Sequence, residues 1–305
     1  MPVYQIAGFV IDSPMELPSL SNTLASEKQT TDISIIISEM PNLSKSLSQR
    51  PFSGGYIHWL EQGFQLLHPV VGEMVVLGHK IYWLPQSNPD IKGFRTFLVN
   101  TLLPAYAVLH QMLPLHISAI SVNGQAIIFQ GKSGAGKSTL AAMLMKQGYP
   151  VITEDLGIVE LSENNAILRA GLPYFRLWKK SFNYLSETPE QDDIAWLHKG
   201  KYYRSIEGKD FCTQPQPIKA IYFIHEPQYG NDITITPISG FNVANALFNS
   251  RFFGIGQTDA IQTKRIFNET MTLANHTDCF NLTRPKDFNQ ADEVIDALIE
   301  HWKSN

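Results

Sequence analysis

The run "GKSGAGKST", residues 131–139, constrains this chain more than any other stretch. Gly131, Lys132, Ser133, Gly134, Ala135, Gly136, Lys137 and Ser138 satisfy the pattern G-x-x-x-x-G-K-[ST] at every position. Apolar "AIIF" precedes the run and "LAAMLMKQG" follows it, which places the loop between a strand and a helix over residues 137–147. Gly148 closes that helix as a C-cap would. Glycines let backbone N–H groups turn inward around a polyphosphate, and the helix N-terminus adds a positive dipole end. Lys137 supplies a charge for the β- and γ-phosphates, the Ser138 hydroxyl can hold Mg²⁺, and Thr139 completes the stretch. The residues describe a nucleoside triphosphate site. The open question is where the terminal phosphate goes.

Bulk properties narrow the answer. A chain of 305 residues with 44% hydrophobic composition is long for one compact domain, and two unequal domains are expected. Lys and Arg number 24 against 28 Asp and Glu, a net charge of -4, so no broad cationic field for duplex nucleic acid is present. Cys212 and Cys279 lie far apart and make no disulfide framework or zinc spacing. The opening "MPVYQIAGFVIDSP" lacks a basic region and does not read as a signal peptide. No apolar run approaches the ~20 residues that a membrane helix needs. The expectation is a cytoplasmic protein with neither membrane nor nucleic-acid partner; a homo-oligomer is left open.

Residues 1–92 read as a mostly β domain, built from short runs such as "VYQIAGFVI", "DISIIIS", "GYIHWL" and "EMVVLGHKIYWLP". "PQSNPDIKG" (85–93) reads as a linker, so the second domain is expected to span 93–305. It opens on apolar residues at helical spacing, "FRTFLVNTLLPAYAVLHQM", with Pro104 kinking or splitting the helix. "LHISAISVNGQAIIF" then reads as a hairpin about Asn123-Gly124. Strands "YPVITED", "AILRAG", "IKAIYFIHE" and "DITITPI" follow, with helices in "GFNVANALFNSRFF" and "DEVIDALIEHWK". The fold class is α/β.

Several residues are candidates for chemistry. Glu154-Asp155 ends the strand after the loop helix, where a carboxylate can bind Mg²⁺ or take a proton from an attacking hydroxyl. Neighbours on a strand point to opposite faces, so both reach the site only if the strand ends there. Asp155 is the better metal candidate, with Ser138, while either Glu154 or Asp155 can be the base, assisted by His116; an ordinary acidic turn is the bland alternative. His116 opens "HISAI" fifteen residues before Gly131, and strand pairing can bring it beside the loop; alone, it reads as a core histidine. "FRLWKKS" (175–181) and "HKGKYYRS" (198–205) bracket the acidic "SETPEQDD" and suggest a mobile substrate loop, or else solvated surface. Arg176 and Arg204 suit carboxylate or phosphate contacts, and Arg251 is a third candidate cation.

"LHISAI" followed by "GKSGAGKSTLAAMLMKQGYPVITED" resembles the catalytic domain of HPr kinase/phosphorylase and its relatives. The resemblance is specific over residues 113–160. It implies an α/β P-loop kinase domain related to phosphoenolpyruvate carboxykinase, preceded here by the smaller, mostly β N-terminal domain. It also implies transfer of the γ-phosphate of ATP to a serine or threonine hydroxyl, with Mg²⁺, and catalytic roles for His116, Lys137, Glu154 and Asp155. "YQIAGFVIDSPMELPSL" looks like a branch that includes lasso-peptide precursor kinases, which makes a peptide or protein the expected acceptor. A small-molecule hydroxyl kinase and a nucleotide-dependent switch without an acceptor stand as alternatives.

Overall fold

The computed structural model describes residues 1–17, 20, 30–163, 165–185, 201–226, 232–250, 260–285 and 287–304. Two compact units emerge, Met1–Pro114 with Phe252–Ile266, and Leu115–Arg251 with Phe267–Asn305. The first carries an eight-stranded sheet in the order β1-β2-β3-β8-β7-β6-β5-β4. Its strands are β1 (Val3–Ile6), β2 (Phe9–Asp12), β3 (Ile33–Ile37), β4 (Ser46–Phe52), β5 (Gly55–Leu60), β6 (Gly63–His68), β7 (Gly72–Leu77) and β8 (Lys80–Leu84). Ala7-Gly8 and Ser53-Gly54 both hold positive φ at the two central residues, the geometry that closes two-residue hairpins.

Residues 93–114, placed by the sequence pattern in the second domain, pack with this sheet's unit instead. The helices α1 (Ile91–Phe97) and α2 (Leu103–Leu109) are joined by a π-helical turn, Leu98–Leu102, and Pro104 falls in the first turn of α2. Pro104 has no N–H to give to the preceding turn, and the helix passes it by widening into the π turn directly before it rather than by splitting. Phe94, Phe97, Leu98, Leu102, Leu103 and Tyr106 are all buried. A helix apolar on every side belongs inside a core. Phe94 stacks on Trp83 at 4.3 Å between centroids, and the Trp83 Nε1 donates to the Val71 carbonyl at 2.8 Å.

The second unit is mixed α/β. Its strands are β9 (Leu113–Val122), β10 (Gln125–Gln130), β11 (Val151–Leu161), β12 (Ala166–Leu168), β13 (Tyr174–Trp178), β14 (Lys201–Ser205), β15 (Gln216–His225), β16 (Thr234–Pro237) and β17 (Asp278–Thr283). The helices are α3 (Lys137–Lys146), α4 (Lys179–Tyr184), α5 (Phe241–Asn249), α6 (Ala260–His276), which belongs to this unit from Phe267 on, and α7 (Ala291–Ser304). Seven strands form one sheet, β10-β9-β11-β12-β15-β17-β16, with β10 also pairing β15; β13 and β14 form a separate hairpin. Asn123 and Gly124 have φ of 52° and 78°, and turn β9 into β10 as the sequence suggests. Among the described residues no helix is long and apolar enough to cross a membrane.

Three parallel neighbours position the site. β10 runs parallel to β15, and β15 parallel to β17, so their carboxyl ends share one edge. Crevices beyond such strand ends are where α/β sheets bind ligands. Beneath that edge α3 and α7 pack on the sheet through Leu140, Leu144, Phe129, Tyr222, Leu298 and Trp302.

Candidate active site

The glycine loop leaves the end of β10 and enters α3 at Lys137. Gly134 and Gly136 take φ of 82° and 93°, a region that penalises every L side chain. A Cβ on Gly136 would also strike the Arg284 guanidinium. Both glycines are therefore required by conformation, and a side chain at the second would in addition displace the Arg284 guanidinium. Lys137 is buried, and its Nζ donates to the Gly131 carbonyl at 3.0 Å, which folds the ammonium back over the loop. Lys132 is exposed, and Thr139 Oγ1 lies 2.9 Å from Ser181 Oγ on α4.

The β9–β10 register pairs Ile117 with Gln130, which sets His116 level with the first residue of the loop. Its Nδ1 lies 3.2 Å from Asp155 Oδ1. Arg176, on β13, places Nη2 2.5 Å from Asp155 Oδ2, and both side chains are about nine-tenths buried. Burial alone would lower the Arg176 pKa, but the Asp155 and Glu154 carboxylates outweigh it and hold the guanidinium above its ordinary range. Arg176 is thus the compensating charge of a buried carboxylate. Arg176→Met should destabilise the protein by about 3 kcal/mol, because it leaves Asp155 buried without that charge. Chemical denaturation of the two proteins checks this, and an unchanged midpoint would refute the structural role.

The carboxylate pair departs from the expectation that β11 must end for both to reach the site. β11 continues to Leu161, but Asp155 takes φ of 72° within it. A non-glycine residue in the left-handed region costs about 1–3 kcal/mol, and such strain gathers at functional sites. Thr153 Oγ1 donates to the Leu156 carbonyl at 2.5 Å and bridges the distortion. The kink breaks strand alternation, so Glu154 and Asp155 both serve the loop from adjacent positions. They meet different partners. Ser138 Oγ donates to Glu154 Oε1, while Asp155 binds His116 and Arg176. The geometry therefore pairs the loop serine with Glu154, where the sequence reading paired it with Asp155.

Asp155 and its partners, with Ser138 but not Glu154 itself, line a cavity of about 280 Å³, near the lower end for small-ligand sites. His116, Gly134, Gly136, Lys137, Ser138, Asp155 and Arg176 all face it. Arg204 is not among the lining residues; its Nη1 lies 3.9 Å from Met145 Sδ on α3. Arg251 and the segment 186–200, the centre of the expected substrate loop, fall outside the described residues. The cavity also takes in Trp178 at the end of β13, within the candidate stretch 175–181, and residues that the sequence reading missed: Arg284, Asp287, Ala291 and Val294 beyond β17. Trp178 is 48% exposed despite its size. The available signal for Arg284 was "LTRPKD" directly after an apolar strand, a cation at a strand's carboxyl end.

Oxygen donors suit a hard divalent cation, and the Ser138 hydroxyl against the Glu154 carboxylate is such a pair at the start of α3. Among the described residues no cluster of three or more His, Cys, Asp or Glu could hold a metal unaided.

No family model matches the chain, and no curated protein does. Among solved structures the chain is similar to the Hpr(Ser) kinase/phosphatase from Coxiella burnetii, at 10% identity and a TM-score of 0.36, over 63% of this chain and 97% of that one.

Proposed function

We propose that this protein is an ATP- and Mg²⁺-dependent kinase that moves the γ-phosphate to a serine or threonine hydroxyl, most naturally on a peptide. The observation that carries the reading is Asp155: a carboxylate in the phosphate-loop cavity, turned there by a left-handed φ and oriented by His116 at 3.2 Å. A switch that only senses nucleotide has no use for a positioned proton acceptor, and a kinase does.

In this reading the backbone amides of residues 132–138 and the Lys137 ammonium hold the triphosphate. Ser138 and Glu154 hold Mg²⁺, which when bound neutralises charge on the phosphate oxygens. Asp155 takes the proton of the acceptor hydroxyl, and His116, donating from Nδ1, orients the carboxylate. Arg176 offsets the carboxylate's charge in the buried site. Positioning and fixed charge supply most of the rate in such transfers. The acceptor class, a peptide of the kind tailored in lasso-peptide pathways, rests on the N-terminal sequence resemblance.

Incubation with ATP, Mg²⁺ and a pool of serine- and threonine-containing peptides, followed by mass spectrometry, tests the acceptor. A phosphorylated peptide is the expected result. Phosphorylation of free hydroxy amino acids alone would make the protein a small-molecule kinase instead.

A further inference from the structure

Arg284 is the first residue past β17, and its backbone N–H donates to the His225 carbonyl at 3.0 Å, continuing the β15–β17 pairing. A rigid strand end therefore delivers the side chain to the phosphate loop. Its Nη2 donates to the Ala135 carbonyl inside the loop, and its Nη1 to the Pro285 carbonyl at 3.1 Å. Its Nε is buried with no hydrogen-bond acceptor among the described residues. Both acceptors are neutral, and no carboxylate among the described residues makes an ion pair with this guanidinium. Glu226 is felt electrostatically but does not reach it, and burial lowers the Arg284 pKa despite that carboxylate.

A largely buried cation without an anion is an expensive arrangement unless an anion arrives. This cation faces the same cavity as Lys137 and touches the loop that would carry a polyphosphate. Arginine presents a planar fork of donors that matches phosphate oxygens, and it cannot shed its charge as lysine can. We propose that Arg284 is a ligand of the donor's phosphate chain, the second fixed cation of the site beside Lys137. In the absence of nucleotide it is held over the loop by Ala135, and the triphosphate completes its coordination. This rests on the reading of the loop as a triphosphate site.

A brace for the loop and an anion ligand differ in charge dependence. The test is calorimetric titration of the full-length protein with inorganic tripolyphosphate and with ATP, at several salt concentrations, on wild type, Arg284→Gln and Arg284→Lys. Arg284→Gln should bind both probes about tenfold to a hundredfold more weakly, the range for one hydrogen-bonded charge contact. Its affinity should also fall less steeply with salt, because one charge contact is gone. Arg284→Lys should keep the steep salt dependence with a smaller loss. If Arg284 only braces Ala135, Gln and Lys will weaken binding alike and leave the salt dependence at the wild-type value, which overturns the proposal. Should Arg284→Gln not fold, Arg284→Met removes the same charge and is compared with Arg284→Lys in its place: a salt dependence at the wild-type value in the methionine protein contradicts an anion ligand. Tripolyphosphate binding that needs Lys137 but ignores both Arg284 substitutions removes this inference alone. No binding of either probe by wild type removes the triphosphate reading with it.

Discussion

Lys137→Ala is expected to lower phosphoryl transfer by about 10²-fold or more while leaving the protein folded. The ammonium is a fixed positive charge beside the loop backbone, with its Nζ 3.0 Å from the Gly131 carbonyl. Removing one preorganised donor from a site of developing charge costs ~10²–10³ in rate, and here ground-state binding of the β- and γ-phosphates is lost as well. Folding should survive, because the loop shape comes from Gly134 and Gly136 and from the Leu140 N–H bond to the Gly136 carbonyl at 2.9 Å. Thermal melting, ATP titration and turnover on one preparation check all three statements. A folded Lys137→Ala protein with undiminished turnover would show that this loop is not the donor site.

The second large effect separates the two carboxylates. Glu154→Gln keeps an oxygen to accept from Ser138 but removes the charge beside that hydroxyl. Affinity for Mg²⁺·ATP should fall about tenfold or more, while affinity for metal-free ATP stays near wild type or rises. Asp155→Asn removes the proton acceptor but keeps the backbone, since asparagine tolerates the left-handed region that φ of 72° demands. That variant should bind Mg²⁺·ATP nearly as wild type does and lose ~10²–10⁴ in single-turnover transfer. Arg176 then loses its ion-pair partner, so the comparison belongs well below the variant's melting temperature. Equal losses of Mg²⁺·ATP affinity in the two variants would contradict the division of roles.

Local pattern made part of this legible. The strand, loop and helix around residues 125–147 follow from a complete glycine motif between two apolar runs, and the Asn123-Gly124 hairpin from turn chemistry. That hairpin also fixes His116, because an antiparallel register counts outward from its turn. Other features depend on contacts between distant residues. The link from Arg284 to Ala135 spans 149 positions and exists only because β10, β15 and β17 lie side by side. No spacing rule would have found it. The exchange of partners between Glu154 and Asp155 hangs on one backbone angle, and a strand pattern that assumes strict alternation hides it. The helices after residue 90 cluster with the first unit, which composition alone does not reveal. "PQSNPDIKG" has linker composition, yet Asp90 caps α1 by accepting from the Gly93 N–H at 2.8 Å, and the helix it starts is buried in the first unit.

The proposed kinase delivers a phosphoryl group to a hydroxyl instead of to water. The most direct measurement follows the label of γ-labelled ATP in the presence of a peptide pool carrying serine and threonine. The label should appear on a peptide hydroxyl with wild type and be lost from that position with Asp155→Asn. Label released only as inorganic phosphate, at the same rate in both proteins, would contradict it.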